Sequence, residues 1–72
     1  MLQVGTLSHQ AKSGRLIIRL SREIRPGAML LDEGGRKLGR VVELIGPVKA
    51  PYASVAVSGR PGKKGDPAFL ER

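Results

Sequence analysis

The sequence predicts an all-β protein: a single small six-stranded closed β-barrel with little or no helix. Three observations carry this. Ten Gly and five Pro punctuate the 72 residues, and short apolar runs lie between them at the spacing of about 8–12 residues expected of a small sandwich or barrel. No segment keeps a helical apolar period for long; ELIGPV is interrupted by Gly46 and Pro47. The core must be aliphatic, because nine Leu, four Ile and six Val stand against one Phe, one Tyr and no Trp. One domain, residues 1–72, is expected at this length, and a chain so short buries only about 60% of its unfolded surface.

The first strand is expected from Gln3 to His9. Ser13-Gly14 then marks a hairpin, since glycine supplies the positive φ that a tight primed turn needs. In RLIIRL, residues 15–20, Leu16, Ile18 and Leu20 share one face while Arg15, Ile17 and Arg19 share the other. That pattern predicts an aliphatic interior and a half-exposed exterior. Arg25-Pro26-Gly27 is a turn, with Pro26 fixing φ and Gly27 free to go positive. A short strand from Ala28 to Asp32 leads into a second tight connection, Glu33-Gly34-Gly35-Arg36.

Lys37 to Ile45, KLGRVVELI, is predicted to be the longest strand, with Gly39 marking a bulge or the close approach of another backbone. Val41-Val42 and Leu44-Ile45 place apolar groups on both of its faces, which a strand buried on one side only does not do. Either loops cover the outer face or that face meets a partner. Ala53, Val55 and Val57 share a face of the fifth strand. SGRPGKKGDP, residues 58–67, reads as loop, and a final strand from Ala68 to Leu70 closes the barrel against the first, removing sticky edges.

Thirteen Lys and Arg against six Asp and Glu give a formal net charge of +7 and a pI near 10.9. On so small a body this creates a positive field over much of the surface and points to residence near nucleic acid or an acidic partner. The cations are scattered rather than run together, so no disordered basic arm is indicated. The lack of Cys excludes a disulfide framework and a Cys-based zinc site. MLQVGTLSHQ has no charged segment followed by an apolar stretch, so no secretory signal is expected. No apolar window approaches the roughly 18 residues of a membrane span. The expectation is a cytoplasmic protein that does not engage a membrane.

The residues of catalysis are thinly supplied. His9 is the lone histidine, with no carboxylate cluster nearby to make a metal site. The six acids are single and scattered, and the serines lack a His and Asp arrangement. Gly34-Gly35 with Arg36-Lys37 lacks both the phosphate-loop spacing and a following helix, so it reads as a hairpin turn. These absences predict a non-enzyme without cofactor, metal or small-molecule substrate. Base stacking needs aromatics interleaved with cations, and Tyr52 and Phe69 are the whole supply; Phe69 is expected in the core.

The stretch GPVKAPY, residues 46–52, sets two prolines and the only tyrosine between two strands. Together with VGTLSH, AKSGRLIIRL and LGRVVELIGPVKAPYASV, it resembles the Gar/Naf family of small β-barrel proteins of H/ACA guide ribonucleoproteins, in its compact archaeal form. The likeness covers almost the whole chain. Its most specific element is G-P-V-K-x-P-Y after an LGxVxxxxG strand: Leu38, Gly39, Val41, Gly46, Pro47, Val48, Lys49, Pro51 and Tyr52. Gly5 and His9 match the family's usual start. The closing segment departs from the pattern: GDPAFLER stands where the family tends to have Gly-Glu-x-Leu-Tyr, so the register of the last strand is open. The glycine- and arginine-rich tails of eukaryotic relatives have no counterpart here, and nothing those tails do is assigned.

The resemblance implies a barrel like those of translation-factor domains. It also implies a non-catalytic subunit that docks on the catalytic domain of the dyskerin-type pseudouridine synthase. There it assists guide-directed pseudouridylation of ribosomal RNA, in substrate loading and product release. Contact with the guide RNA particle and its other core proteins is expected to be mostly indirect as regards RNA. Leu44, Ile45, Gly46, Pro47, Val48, Lys49, Pro51 and Tyr52 are the expected partner-binding residues. Prolines preorganise a loop and so reduce the entropy lost on docking, and Tyr is enriched among interface anchors. Arg36, Lys37, Lys63 and Lys64 are candidates for RNA-phosphate contact. The alternative readings are an independent small RNA-binding barrel and a ribosome-maturation barrel, the latter because MLLDEGGRKLGRVVELIG also suits such domains.

Overall fold

Alternating aliphatic residues in short runs, separated by connections that each carry glycine or proline, fold here into strands. The computed structural model describes residues 2–46, 51–58 and 62–71. It contains β1 (Leu2–Gln10), β2 (Leu16–Leu20), β3 (Met29–Leu31), β4 (Lys37–Ile45), β5 (Tyr52–Val57) and β6 (Pro67–Leu70), with no helix among the described residues. At nine residues β4 shares the greatest length with β1, which was not expected.

The strands close into a barrel in the order β1-β2-β5-β4-β3-β6. Every neighbouring pair is antiparallel. Because successive strands reverse direction, the β1–β2, β3–β4 and β5–β6 connections share one end, here the hairpin end. The β2–β3 and β4–β5 connections share the other, the crossing end, where β1 begins and β6 finishes.

The predicted interior is the observed one for β2 and β5. Leu16, Ile18 and Leu20 are buried, as are Ala53 and Val55 opposite them, and Val57 packs against the same cluster. Val4, Leu7, Leu30, Leu38, Val41 and Ala68 complete the wall lining. Ile24 adds a member from outside the strands. The β2–β3 connection must pass across the barrel mouth, since β5 and β4 lie between its two strands, and Ile24 is buried there within the core cluster. The Ser21 N–H donates to the Val4 carbonyl (2.8 Å) and the Gly27 N–H to the Val41 carbonyl (2.7 Å), tying down both ends of this crossing.

Local backbone chemistry explains the corners. The Gly14 N–H donates to the Ala11 carbonyl (2.9 Å) and the Ala11 N–H to the Arg15 carbonyl (2.7 Å). Gly14 has φ 91°, and no non-glycine residue among the described ones has a positive φ. This is a type I turn followed by one left-handed residue, not the primed turn expected from Ser13-Gly14, because a primed turn needs its positive φ at the first central residue. Asp32–Arg36 repeats the design: the Gly35 N–H donates to the Asp32 carbonyl (3.0 Å) and the Asp32 N–H to the Arg36 carbonyl (2.8 Å). Gly39 marks a close approach, as expected. A Cβ there would lie 2.8 Å from Val55 Cγ1 and 2.9 Å from the Ala56 carbonyl carbon, so no side chain fits.

β6 pairs with β1 as expected and with β3 as well. Leu70 faces Leu2 and Leu30, and Phe69 faces Gln3 and Leu31. This register puts Ala68 and Leu70 toward the core and Phe69 on the outer side. Phe69 is therefore not the core residue it was expected to be. It is half-buried across from Leu31, which is buried yet outside the central cluster.

Candidate functional site

The apolar doublets of β4 are resolved by two bulges. Between Leu30↔Gly39 and Leu31↔Lys37, β4 holds the extra residue Leu38; between Val41↔Val55 and Glu43↔Ser54 it holds the extra residue Val42. An extra residue breaks the in–out alternation and turns the strand. Val41 is buried, whereas Val42, Leu44 and Ile45 are 42%, 37% and 41% exposed and are the large hydrophobic side chains left open among the described residues. Of the two explanations for apolar groups on both faces, cover by loops is not what the described residues provide.

The same segment extends past its neighbour. Backbone hydrogen bonds between β4 and the segment leading into β3 end at Val41, whose N–H donates to the Ala28 carbonyl (2.8 Å) and whose carbonyl accepts the Gly27 N–H (2.7 Å). Beyond that point β4 is laddered to β5 alone among the described residues, through Glu43↔Ser54, Leu44↔Ala53 and Ile45↔Tyr52. Tyr52 is half-buried and lies between Ile45 and Arg19 in the ladder. Directly opposed residues of a sheet share a face, so Ile45 and Tyr52 stand side by side on the outside of the crossing end. Leu44, opposite buried Ala53, looks out of the mouth.

Gly46 follows β4 with φ 91° and is exposed. Pro51 is half-buried, and its carbonyl accepts the Leu20 N–H at 3.1 Å, anchoring the far side of the loop to β2. Pro47, Val48 and Lys49 lie outside the described residues. The structure thus brings Leu44, Ile45, Gly46, Pro51 and Tyr52 together at one rim and adds Val42, which the sequence places among the two-faced apolar pairs but not among the expected partner-binding residues. The doublet Val41-Val42 was its signal.

The cations proposed for phosphate contact sit at the opposite end. Arg36 and Lys37 at the β3–β4 hairpin and Lys63 before β6 line one groove of about 410 Å³ with Leu7, Leu38, Gly62, Asp32 and Asp66. Lys64 is exposed beside it. The acids are occupied by the backbone. Asp32 Oδ1 accepts the Gly34 and Arg36 N–H groups (2.9 Å each), and Asp66 Oδ2 accepts the Lys63 N–H (2.8 Å). The segment is held to β1 by the Gly65 N–H donating to the Leu7 carbonyl and the Leu7 N–H to the Asp66 carbonyl (2.8 Å each). His9 is exposed, its Nδ1 3.0 Å from Ser8 Oγ. No helix is long and apolar enough to cross a membrane among the described residues.

No family profile matches the chain. It is 34% identical over 58 residues to an uncharacterized protein of Methanothermobacter thermautotrophicus, covering 81% of this chain and 63% of that one. It is 38% identical over 47 residues to an uncharacterized protein of Methanocaldococcus jannaschii, covering 65% of this chain and 57% of the relative. The chain thus spans less than two thirds of the length of either relative, and both are archaeal.

Proposed function

We propose that this protein is a non-catalytic subunit of an H/ACA guide ribonucleoprotein. In this reading it docks on the catalytic domain of a dyskerin-type pseudouridine synthase and assists guide-directed pseudouridylation of ribosomal RNA. Two things support it: the likeness of the LGxVxxxxG strand and G-P-V-K-x-P-Y to the Gar/Naf family, and a six-stranded closed barrel of the kind that family implies. The single observation that carries it is the open apolar rim of Val42, Leu44 and Ile45 beside Tyr52, flanking that same motif. A closed barrel with a sealed core gains nothing internally from such a rim, and clustered apolar exposure of this kind marks an interaction surface.

Docking buries Ile45 and Tyr52. Ile45 is 41% exposed and Tyr52 half-buried, so docking removes only the open part of each from water, about 1 kcal/mol or several-fold in affinity per side chain. The test is calorimetric titration of the synthase with the wild type, Ile45→Asp and Tyr52→Ala, alongside their melting temperatures. Affinity is expected to fall by at least that factor for each variant, with the barrel still folded at the titration temperature and its melting lowered only by the lost partial burial. Undiminished docking, or docking lost only because the barrel has unfolded, defeats the assignment. Multiple-turnover pseudouridylation by the reconstituted particle should slow in parallel, since the subunit is proposed to act on substrate loading and product release.

A further inference from the structure

The topology sorts the charge of the described residues, and the sorting does not depend on the docking proposal. Connections at the hairpin end and the strand ends beside them carry Lys12, Arg15, Arg36, Lys37, Lys63 and Lys64 against Asp32, Glu33 and Asp66, six minus three among the described residues. At the crossing end Arg19, Arg22, Arg25 and Arg40, the last with its guanidinium donating to the Gly27 carbonyl (2.7 Å), meet Glu23, Glu43 and Glu71, four minus three. Two of the three acids at the hairpin end are engaged by backbone N–H groups. Most of the excess positive charge of the described residues therefore gathers at the end away from the apolar rim.

We infer that the hairpin end is a contact surface for a nucleic-acid phosphate backbone, held by charge and blind to base sequence. Cations from three separate connections converge on this end, and Arg36, Lys37 and Lys63, far apart in the chain, line a single groove. Phosphates repeating along a strand match cations spread over such a rim. Tyr52 and Phe69 both lie outside these connections, so bases find no Tyr, Phe or Trp platform there, and contacts to phosphate alone carry no sequence information. An acidic protein partner is the competing occupant. Protein interfaces are built around apolar or aromatic anchors, and the open large hydrophobic side chains among the described residues lie at the other end.

The test is fluorescence anisotropy with a short labelled single-stranded RNA and the full chain. Affinity for bare strand should be weak, with a dissociation constant of about 1–100 μM. It should fall with salt at a log–log slope of about −0.7 per phosphate engaged, near −4 if all six cations take part. The variant Arg36→Gln/Lys37→Gln/Lys63→Gln/Lys64→Gln should flatten that slope by about 3. Arg22→Gln/Arg25→Gln, at the crossing end, should leave it nearly unchanged. A scrambled RNA and a DNA of the same length should bind equally, and a polyglutamate peptide should compete poorly. An unaltered slope in the fourfold variant, a preference above about tenfold for one nucleic acid, or full competition by polyglutamate would each overturn the inference. Amide shifts of the wild type on adding RNA give a readout that needs no variant to fold. They should move at Lys12, Gly35, Lys37 and Gly65 and stay still at Ile45 and Tyr52; the reverse map rejects the site. Failure here leaves the docking proposal standing, because Ile45→Asp and Tyr52→Ala act at the opposite end and are read with the synthase.

Discussion

Ile18 and Ile45 offer a matched pair, the same side chain cut back by the same three carbons in two environments. Ile18 is 0% exposed at the middle of β2, between Leu7 of β1 and Ala53 of β5. Three carbons at about 0.8 kcal/mol each put the transfer loss of Ile18→Ala near 2.4 kcal/mol. The closed barrel has little room to collapse, so a cavity contribution brings the total to about 3–4 kcal/mol. For a chain of this length, whose whole stability is on the order of 4–10 kcal/mol, that is a third or more of it. Ile45 is 41% exposed, so little more than half of the transfer term applies, about 1.4 kcal/mol, and no sealed cavity forms. Urea unfolding followed by circular dichroism measures both, and equal slopes in denaturant show that the unfolded states are alike. Equal losses for the two variants would refute the placement of one inside and the other on the open rim.

Gly39→Ala should destabilise by about 1–3 kcal/mol, because its Cβ meets Val55 and the Ala56 backbone across the ladder; a neutral result in thermal melting would mean that β4 and β5 are not in this register. Asp32→Ala removes the acceptor of two backbone N–H groups and should cost about 1 kcal/mol, with faster hydrogen exchange at Gly34 and Arg36. Asp32→Asn, which keeps an acceptor oxygen, should recover most of that loss.

Much of the barrel is legible in the residues because period-two alternation and closure act locally. Leu16, Ile18 and Leu20 face inward as their spacing requires, and glycine stands at each corner that turns left-handed. What escapes is set by distant neighbours. Ile24 is a single apolar residue in a polar connection, and only the placement of β5 and β4 between β2 and β3 reveals why it is buried. The chemistry of Phe69 points inward, yet register with Gln3 and Leu31 turns it outward. The rim was visible as a broken alternation in VVELI, but the bulge that exposes Val42 depends on pairing with β5. At the other end Arg36, Lys37 and Lys63 were nameable one by one. Their convergence on a common groove follows from strand order, which no local pattern encodes.

The pairing of Leu2 with Leu70 brings the two ends of the barrel chain next to each other. They open on the same side as Ile45 and Tyr52. A purification tag, dye or fused domain attached at either end would therefore crowd the mouth and mimic a docking defect. For binding measurements with the synthase, such a handle belongs instead in the turn around Ser13.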